Sequence, residues 1–301
     1  MKNWQIALIA IVLVIAGATG FVYSELRAIE VEQLTDDLYV LRGMGGNTAV
    51  LRTDAGNVIV DTMTFPLQGD KIREVAWELT GSDTAMIINT HYHFDHTHGN
   101  PAFAPGTRVL STERTLSHLN ALDAEFWAGE AAPLKPNETF EDQQTLEIGG
   151  KTIELVHPGI GHTDGDLVVV FTDEQVIHMG DLHFNQHYPN IDLEAGGSIS
   201  AWPATLDRTL ALSFDRVIPG HGATTDRDGI RQYQNFLHQL WEIGEKAAAD
   251  GTSLEDVLAT DALTEDAGYE PIRFFISIGL DRPFVLQRAW EEATGNFTRL
   301  N

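Results

Sequence analysis

The segment Thr90-His91-Tyr92-His93-Phe94-Asp95-His96 decides the fold of this chain, and it follows the strand-like run Ala85–Asn89. Its last six positions hold three imidazoles and one carboxylate. Neutral imidazoles seldom crowd together unless a metal ion binds them, and a mixture of His with Asp favours zinc over calcium or magnesium. In an extended conformation His91 and His93 point the same way, whereas adjacent Asp95 and His96 diverge. One short segment can therefore supply ligands to two neighbouring metal ions.

The composition of the chain limits its classes of fold and partner. Its 301 residues are 43% hydrophobic, which is enough for one substantial core. Cys is absent, which excludes a disulfide framework, thiolate metal ligands and a Cys nucleophile. With 44 acidic and 19 basic residues the formal charge is -25, so the surface repels phosphate backbones. We therefore expect a small-molecule substrate and no nucleic-acid partner. The oligomeric state stays open.

The N-terminus is predicted to carry an export signal. Residues 3–24 contain no charged side chain, and Lys2 precedes them. The apolar part, residues 6–23, is about long enough to span a bilayer, and Ala16-Gly17-Ala18 resembles a signal-peptide cleavage site. We predict that residues 1–24 are a signal peptide or an N-terminal membrane anchor. Either interpretation predicts an exported, periplasmic protein, soluble or anchored to the inner membrane, whose only membrane contact is this segment.

One arrangement recurs along the chain: an apolar strand ends and a residue able to bind a metal follows it. The strand that ends at Val60 leads to Asp61, the run 176–179 leads to Asp181, and the run 216–218 leads to His221. His162 lies in a Gly161-His162-Thr163 turn before the strand 167–171. Loops at one edge of a sheet are where α/β folds build their sites, so these pieces are expected to converge.

The C-terminal part is predicted to be helical. Ile230, Tyr233, Leu237, Leu240 and Ile243 share one helical face that ends before Gly251. Ser253-x-x-Asp256 resembles a capping box that opens a second helix, and residues 283–293 form a third that Gly295 closes. Residues 25–35 are predicted to be a linker and residues 129–142 an irregular stretch.

The ordered motifs around His91, His162, Asp181 and His221 resemble those of the metallo-β-lactamase superfamily, and Asp61 matches that family's first Asp. The resemblance covers roughly residues 35–225. It implies an α/β fold, a four-layer αββα sandwich with metals at one edge of the sheets. The predicted domains are a catalytic domain at 25–225 and a C-terminal helical extension at 226–301 that packs on it.

The resemblance also implies a site with two zinc ions per chain. Each zinc has three ligands of its own, Asp181 bridges both, and Asp61 orients the ligand loop without binding metal. The first set is His91, His93 and His162, and the second is Asp95, His96 and His221. The implied enzyme is a dinuclear zinc hydrolase, in which a metal-bridging hydroxide attacks a carbonyl and Asp95, as the catalytic residue, positions the nucleophile or relays a proton.

The substrate is not fixed by these residues. The resemblance implies cleavage of an ester, thioester or lactam-type bond, as in β-lactamases, with a glyoxalase II-like thioesterase or a lactonase as the alternative. A non-catalytic metal-binding or redox-accessory protein is a remote alternative. Asp181 stands where one lactamase subclass has a Cys ligand, and Phe184 where it has a carboxylate-binding Lys. His183 and Tyr188, which follow Asp181, are predicted to line the substrate rim.

Overall fold

Two β-sheets form the centre of the fold. The computed structural model describes residues 20–273 and 279–297. The first sheet has seven strands in sequential order: β1 (Glu30–Gln33), β2 (Leu38–Arg42), β3 (Thr48–Thr53), β4 (Gly56–Val60), β5 (Thr84–Ile88), β6 (Arg108–Thr112) and β7 (Glu138–Phe140). The second sheet has six strands, in the reverse order β13 to β8: β8 (Gln143–Ile148), β9 (Lys151–Val156), β10 (Val168–Phe171), β11 (Val176–His178), β12 (Arg216–Ile218) and β13 (Thr225–Asp226).

Helices cover the outer faces of both sheets. They are α1 (Pro66–Thr80), α2 (Phe94–Thr97), α3 (Glu113–Leu122), α4 (Trp202–Leu210), α5 (Arg227–Asp250), α6 (Leu254–Leu258) and α7 (Arg282–Thr294). The described residues also contain three short 3-10 helices, Asn100–Ala102, Gly129–Leu134 and Gly180–Leu182. Residues 20–26 are also helical.

Three apolar cores separate these layers. One lies between the sheets and is built from both, for example from Val58 of β4 and Val169 of β10. A second joins the outer face of the first sheet to α1, where Ile72 is fully buried. The third joins the second sheet to α4, α5 and α7, and includes Trp202 and Leu286. The order helix, sheet, sheet, helix confirms the predicted four-layer αββα fold with helices at its C-terminal end.

The topology brings the carboxyl ends of key strands together. β4 and β5 pair in parallel in the first sheet, and β11 and β12 do so in the second. Parallel strands end at the same edge of a sheet, so the loops after them emerge side by side. The backbone of Asn47, which precedes β3, donates to Gly220 after β12 at 2.7 Å and ties the two edges to each other.

The C-terminal helices match their sequence signals. Asp226 caps α5, which ends at Gly251 with a φ of 66°, a left-handed conformation that Gly adopts without strain. Ser253 caps α6 by accepting from the Asp256 amide, and Gly295 closes α7 with a φ of 70°. These helix predictions are confirmed. The domain boundary at residue 225 stays a prediction.

Short polar strands were harder to predict. The expected linker 25–35 contains the edge strand β1, whose residues are exposed or half-buried and show no apolar run. The expected irregular stretch 129–142 contains the three-residue strand β7, which pairs only with β6. Helix α1 begins at Pro66, which occupies its first turn, where a proline is well tolerated.

The predicted signal peptide or anchor, residues 1–24, lies mostly outside the described residues, which begin at residue 20. Within the described ranges, none of the helices combines the length and the apolar character needed to cross a bilayer. The export prediction therefore stays a prediction.

Candidate metal centre

The loops after β5, β11 and β12, together with the turn before β10 that carries His162, bring seven metal-competent side chains to one place. They form two groups, in each of which the candidate ligand atoms lie within 4.8 Å of one another. The first group is His91, His93, His162 and Asp181, and the second is Asp95, His96 and His221. Six of the seven are buried, and His93 is half-buried. The fold thus assembles every residue that the sequence suggested as a ligand.

Asp181 lies between the two groups. Its Oδ2 is 3.7 Å from His91 Nε2 and 3.6 Å from His162 Nε2. Its Oδ1 is 3.1 Å from His96 Nε2 and 3.4 Å from His221 Nε2. Each carboxylate oxygen therefore faces one group. A carboxylate can serve two adjacent cations in this way, with one oxygen for each.

Two of the polar atoms that converge at the centre make no hydrogen bond. Within the described residues, His91 Nε2 and Asp181 Oδ1 are buried and make no hydrogen bond. Burying a polar atom without a partner costs roughly 1–3 kcal/mol. Converging imidazole nitrogens and carboxylate oxygens are the donor set that suits zinc, so these residues fit a metal ion at each group.

Asp61 positions the His-rich loop, residues 90–96, through its carboxylate oxygens. Its Oδ2 lies 2.7 Å from His96 Nδ1 and accepts the Thr90 hydroxyl at 2.7 Å, while its Oδ1 accepts the Thr90 amide at 2.8 Å. The contact on Nδ1 leaves Nε2 of His96 facing Asp181. Asp61 has a φ of 60°, which is uncommon for a residue with a side chain and aims the carboxylate at the loop.

The loop after residue 189 holds the first group from the opposite side. The Asn190 carbonyl lies 2.8 Å from His162 Nδ1, and Asp192 lies beside His93. Glu292 of α7 anchors the next part of this loop, because its carboxylate accepts the Ile199 amide at 2.7 Å and the Ser198 hydroxyl at 2.7 Å. The roles of Asn190, Asp192 and Glu292 could not be predicted from the sequence. They belong to no motif, and 99 residues separate His93 from Asp192.

Burial and neighbouring charges set the protonation states of the candidate ligands. Burial lowers the pKa of His91 well below its usual value and that of His162 to about 4. Both rings are neutral at pH 7, which is the form that binds metal. Burial opposes ionisation of Asp181, but the adjacent His96 and His221 hold its pKa well below the ordinary range. Burial likewise opposes a charge on His221, but Asp181 and Asp95 raise its pKa to about 9. Without metal, a proton thus supplies the positive charge that the carboxylates favour.

A small cavity opens onto the centre. Its volume is about 70 Å³, and its walls include Asp95, Asp181, His221 and the apolar side chains of Phe184 and Leu280. That His183 and Tyr188 line the substrate rim stays a prediction, and neither is among the described residues that line this cavity. His183 is 1% exposed and packs against Tyr233, and the Tyr188 hydroxyl donates to Asp266 at 2.8 Å.

Comparison with known proteins identifies the family. The profile of the metallo-beta-lactamase superfamily matches residues 41–221. The chain belongs to this superfamily. The match spans Asp61, all seven clustered side chains and the strands that carry them. Members of the superfamily are metal-dependent hydrolases, and this chain is one by family and by its His/Asp clusters.

Named relatives of this superfamily member are distant. A metallo-beta-lactamase type 2 of Bacillus cereus is 24% identical over 214 residues, which are 68% of this chain and 80% of that protein. The alpha subunit of a 2,4-dinitroanisole O-demethylase from a Nocardioides strain is 25% identical over 79% of this chain and 67% of its own length. Among solved structures, a metallo-beta-lactamase from Pontibacter korlensis superposes with a TM-score of 0.62 at 21% identity, covering 70% of this chain and 99% of that one. This superposition supports the fold.

Proposed function

We propose that this superfamily member is a dinuclear zinc hydrolase that cleaves an ester, thioester or lactam-type bond of a small molecule. The observation that supports it best is the position of Asp181, whose two oxygens face two separate groups of donors. A site for one metal needs only one such group. Two groups that share a carboxylate suit a pair of cations about 3.5–4 Å apart.

The proposed ligands follow the two groups. His91, His93 and His162 would hold the first zinc, and Asp95, His96 and His221 the second, with Asp181 shared. Asp61 would orient His96 without binding metal. When bound, zinc makes water nucleophilic near neutral pH and polarises a carbonyl oxygen.

The protein's own side chains orient the reactants and move the proton. Asp95 lines the cavity, and its Oδ2 lies 3.2 Å from His221 Nε2. Interaction with His96 and His221 outweighs burial and lowers the pKa of Asp95 to about 2, so it is a carboxylate at pH 7. It is therefore placed to accept a proton from the attacking water and return it to the leaving group. Phe184 and Leu280 keep bulk water away from the reacting carbonyl.

The experiment that tests this proposal is a parallel hydrolysis screen of the zinc-loaded protein. The substrates are a chromogenic cephalosporin, a glutathione thioester and an acyl lactone, with 2,4-dinitroanisole added because a relative's name specifies it. We expect turnover of at least one of the first three substrates, reversible loss with a chelator, and loss of more than about 100-fold in Asp95→Asn, which removes the proton acceptor.

Retained activity in Asp95→Asn, or activity that survives full removal of metal, would contradict the proposal. A protein that binds zinc but turns over none of these substrates would instead favour the remote alternative, a metal-binding or redox-accessory protein. Activity confined to the thioester or the lactone would favour the glyoxalase II-like or lactonase alternative over a β-lactamase.

We further propose that the enzyme works in the periplasm on a small-molecule substrate. The uncharged residues 3–24 support export, and the formal charge of -25 disfavours nucleic acid. Fusing residues 1–30 to a reporter enzyme that is active only outside the cytoplasm tests the first point. An inactive reporter would contradict export.

A further inference from the structure

A second cavity adjoins the metal centre. It has a volume of about 190 Å³ and shares two wall residues, His221 and Ile272, with the cavity over the metal ligands. Its other walls come from the end of β2 and the loop after it, from His187 and Gly222, and from Arg273. A molecule bound at the metal ligands can therefore extend past His221 into this space.

The walls of the second cavity are positively charged, in contrast to the rest of the chain. Arg42 and Arg273 both line it, and none of its described wall residues is Asp or Glu. The whole chain has 44 acidic residues and only 19 basic ones. Two arginines and no carboxylate among the described wall residues, with Glu32 pairing Arg42 from outside the walls, make a local reversal of charge. Such a reversal attracts an anion.

Arg42 is held in place and retains donors for a ligand. It pairs with Glu32 through Nη2 at 2.5 Å, and its Nε lies 3.4 Å from the Gly222 carbonyl. These contacts engage two of the five N–H groups of a guanidinium. Its side chain is 18% exposed, so it is partly desolvated and loses little freedom on binding.

Arg273 is exposed, and both arginines also line a wider outer basin with Glu25 and Glu30. The two arginines therefore border both this outer basin and the cavity next to the metal ligands. An anionic group that approaches from solvent is attracted at the arginines, next to the metal ligands.

The volumes of the two cavities also indicate that a substrate extends beyond the metal ligands. Pockets that enclose a small molecule usually measure about 300–1,000 Å³. The cavity over the metal ligands, at about 70 Å³, holds little more than a reacting bond and its immediate substituents. The rest of the substrate must lie elsewhere, and the arginine-lined cavity is adjacent.

We propose that the cavity between Arg42 and Arg273 is a subsite for an anionic group of the substrate, a carboxylate or a phosphate. The inference rests on the proposed function and narrows its substrate to an acyl compound that carries a negative charge a few bonds from the scissile carbonyl. Bidentate contacts with a guanidinium suit both kinds of anion.

A binding experiment with paired ligands tests the subsite. Calorimetry on zinc-loaded protein compares glutarate, which can place one carboxylate at each cavity, with glutaramate, which replaces one carboxylate by an amide. The third ligand, 4-phosphonobutyrate, presents a phosphonate in place of that carboxylate. We expect glutarate or the phosphonate to bind at least about tenfold more tightly than glutaramate, since hydrogen bonds to charged groups are the stronger ones. Whichever of glutarate and the phosphonate binds more tightly shows whether the anionic group is a carboxylate or a phosphate.

Variants assign this preference to the arginines. Arg273→Gln and Arg42→Gln should each reduce the preference several-fold. The control is Arg231→Gln on α5, where Arg231 is 55% exposed and pairs with Asp228. It should leave the preference unchanged. Arg273→Gln alone suffices if loss of the Glu32 pair unfolds Arg42→Gln.

Equal affinity for the charged ligands and glutaramate would overturn the subsite, as would a preference that survives in Arg273→Gln. These outcomes differ from failure of the proposed function. A protein that binds zinc and hydrolyses substrates without discriminating charge contradicts the subsite alone. One that discriminates but hydrolyses nothing contradicts the hydrolase alone.

Discussion

Asp192 holds His93 in the orientation that the metal centre needs. Asp192 Oδ2 lies 3.0 Å from His93 Nε2, and the other ring nitrogen, Nδ1, lies 2.8 Å from His162 Nε2. The Tyr92 hydroxyl donates to the same Asp192 oxygen at 2.5 Å, and two backbone amides donate to the other. Burial opposes ionisation of Asp192, but these donors lower its pKa, so it is a carboxylate at pH 7. His93 therefore presents Nδ1, not Nε2, to the first group.

Asp192→Asn tests this relationship. An amide cannot accept the His93 proton as strongly, so the ring loses its fixed tautomer and orientation. We expect zinc affinity at the first group to fall about 10–100-fold, as for other residues that support metal-binding histidines. Competition with a chromophoric chelator measures it, and the cobalt-substituted absorption spectrum should change. Asp215→Asn, an exposed residue next to β12, is the control. Unchanged affinity and spectrum in Asp192→Asn would show that His93 does not depend on Asp192.

Gly46 makes room for His96. A Cβ at this position would lie 2.1 Å from His96 Cε1 and 2.5 Å from Nε2, well inside contact distance. Gly46→Ala should therefore displace the imidazole and remove zinc from the second group, although no ligand is changed. We expect zinc content to fall by about half with the fold retained, measured by elemental analysis and circular dichroism. In Glu245→Ala, at an exposed position of α5, the content should not change. Full zinc in Gly46→Ala would contradict this position of His96.

The Tyr188–Asp266 hydrogen bond predicts a dependence of stability on alkaline pH. Burial and the bonded Asp266 carboxylate raise the pKa of Tyr188 from 10.0 to about 12. The folded state therefore resists ionisation that the unfolded chain undergoes near pH 10. The stability is complete below pH 10 and is lost as pH rises towards 12.

Tyr188→Phe should reduce the free energy of unfolding by about 1 kcal/mol at pH 8. The difference from the unaltered protein should shrink between pH 10 and 12, as urea unfolding at each pH can measure. Trp77→Phe, whose side chain is 53% exposed, should leave stability unchanged throughout. A difference that stays constant up to pH 12 would exclude this account of Tyr188.

Local sequence signals predicted the strands that carry the ligands and the helices of the C-terminal part. The runs before Asp61 and His91 are apolar because β4 and β5 lie between layers, and caps such as Asp226 and Gly251 bound α5. The burial of His183 could not be predicted, since a polar loop sequence contains no sign that α5 will cover it. The contact between Asp192 and His93 could not be predicted either, because it depends on how a long loop folds back.

The central claim is that two groups of ligands, joined by Asp181, hold two metal ions. The direct measurement is the zinc content of the purified, zinc-loaded chain, determined by elemental analysis together with its stepwise release to a chelator. We predict close to two zinc ions per chain, released in two steps, and a marked loss from both groups in Asp181→Asn. One zinc per chain, iron in its place, or full retention of zinc in Asp181→Asn would contradict the account.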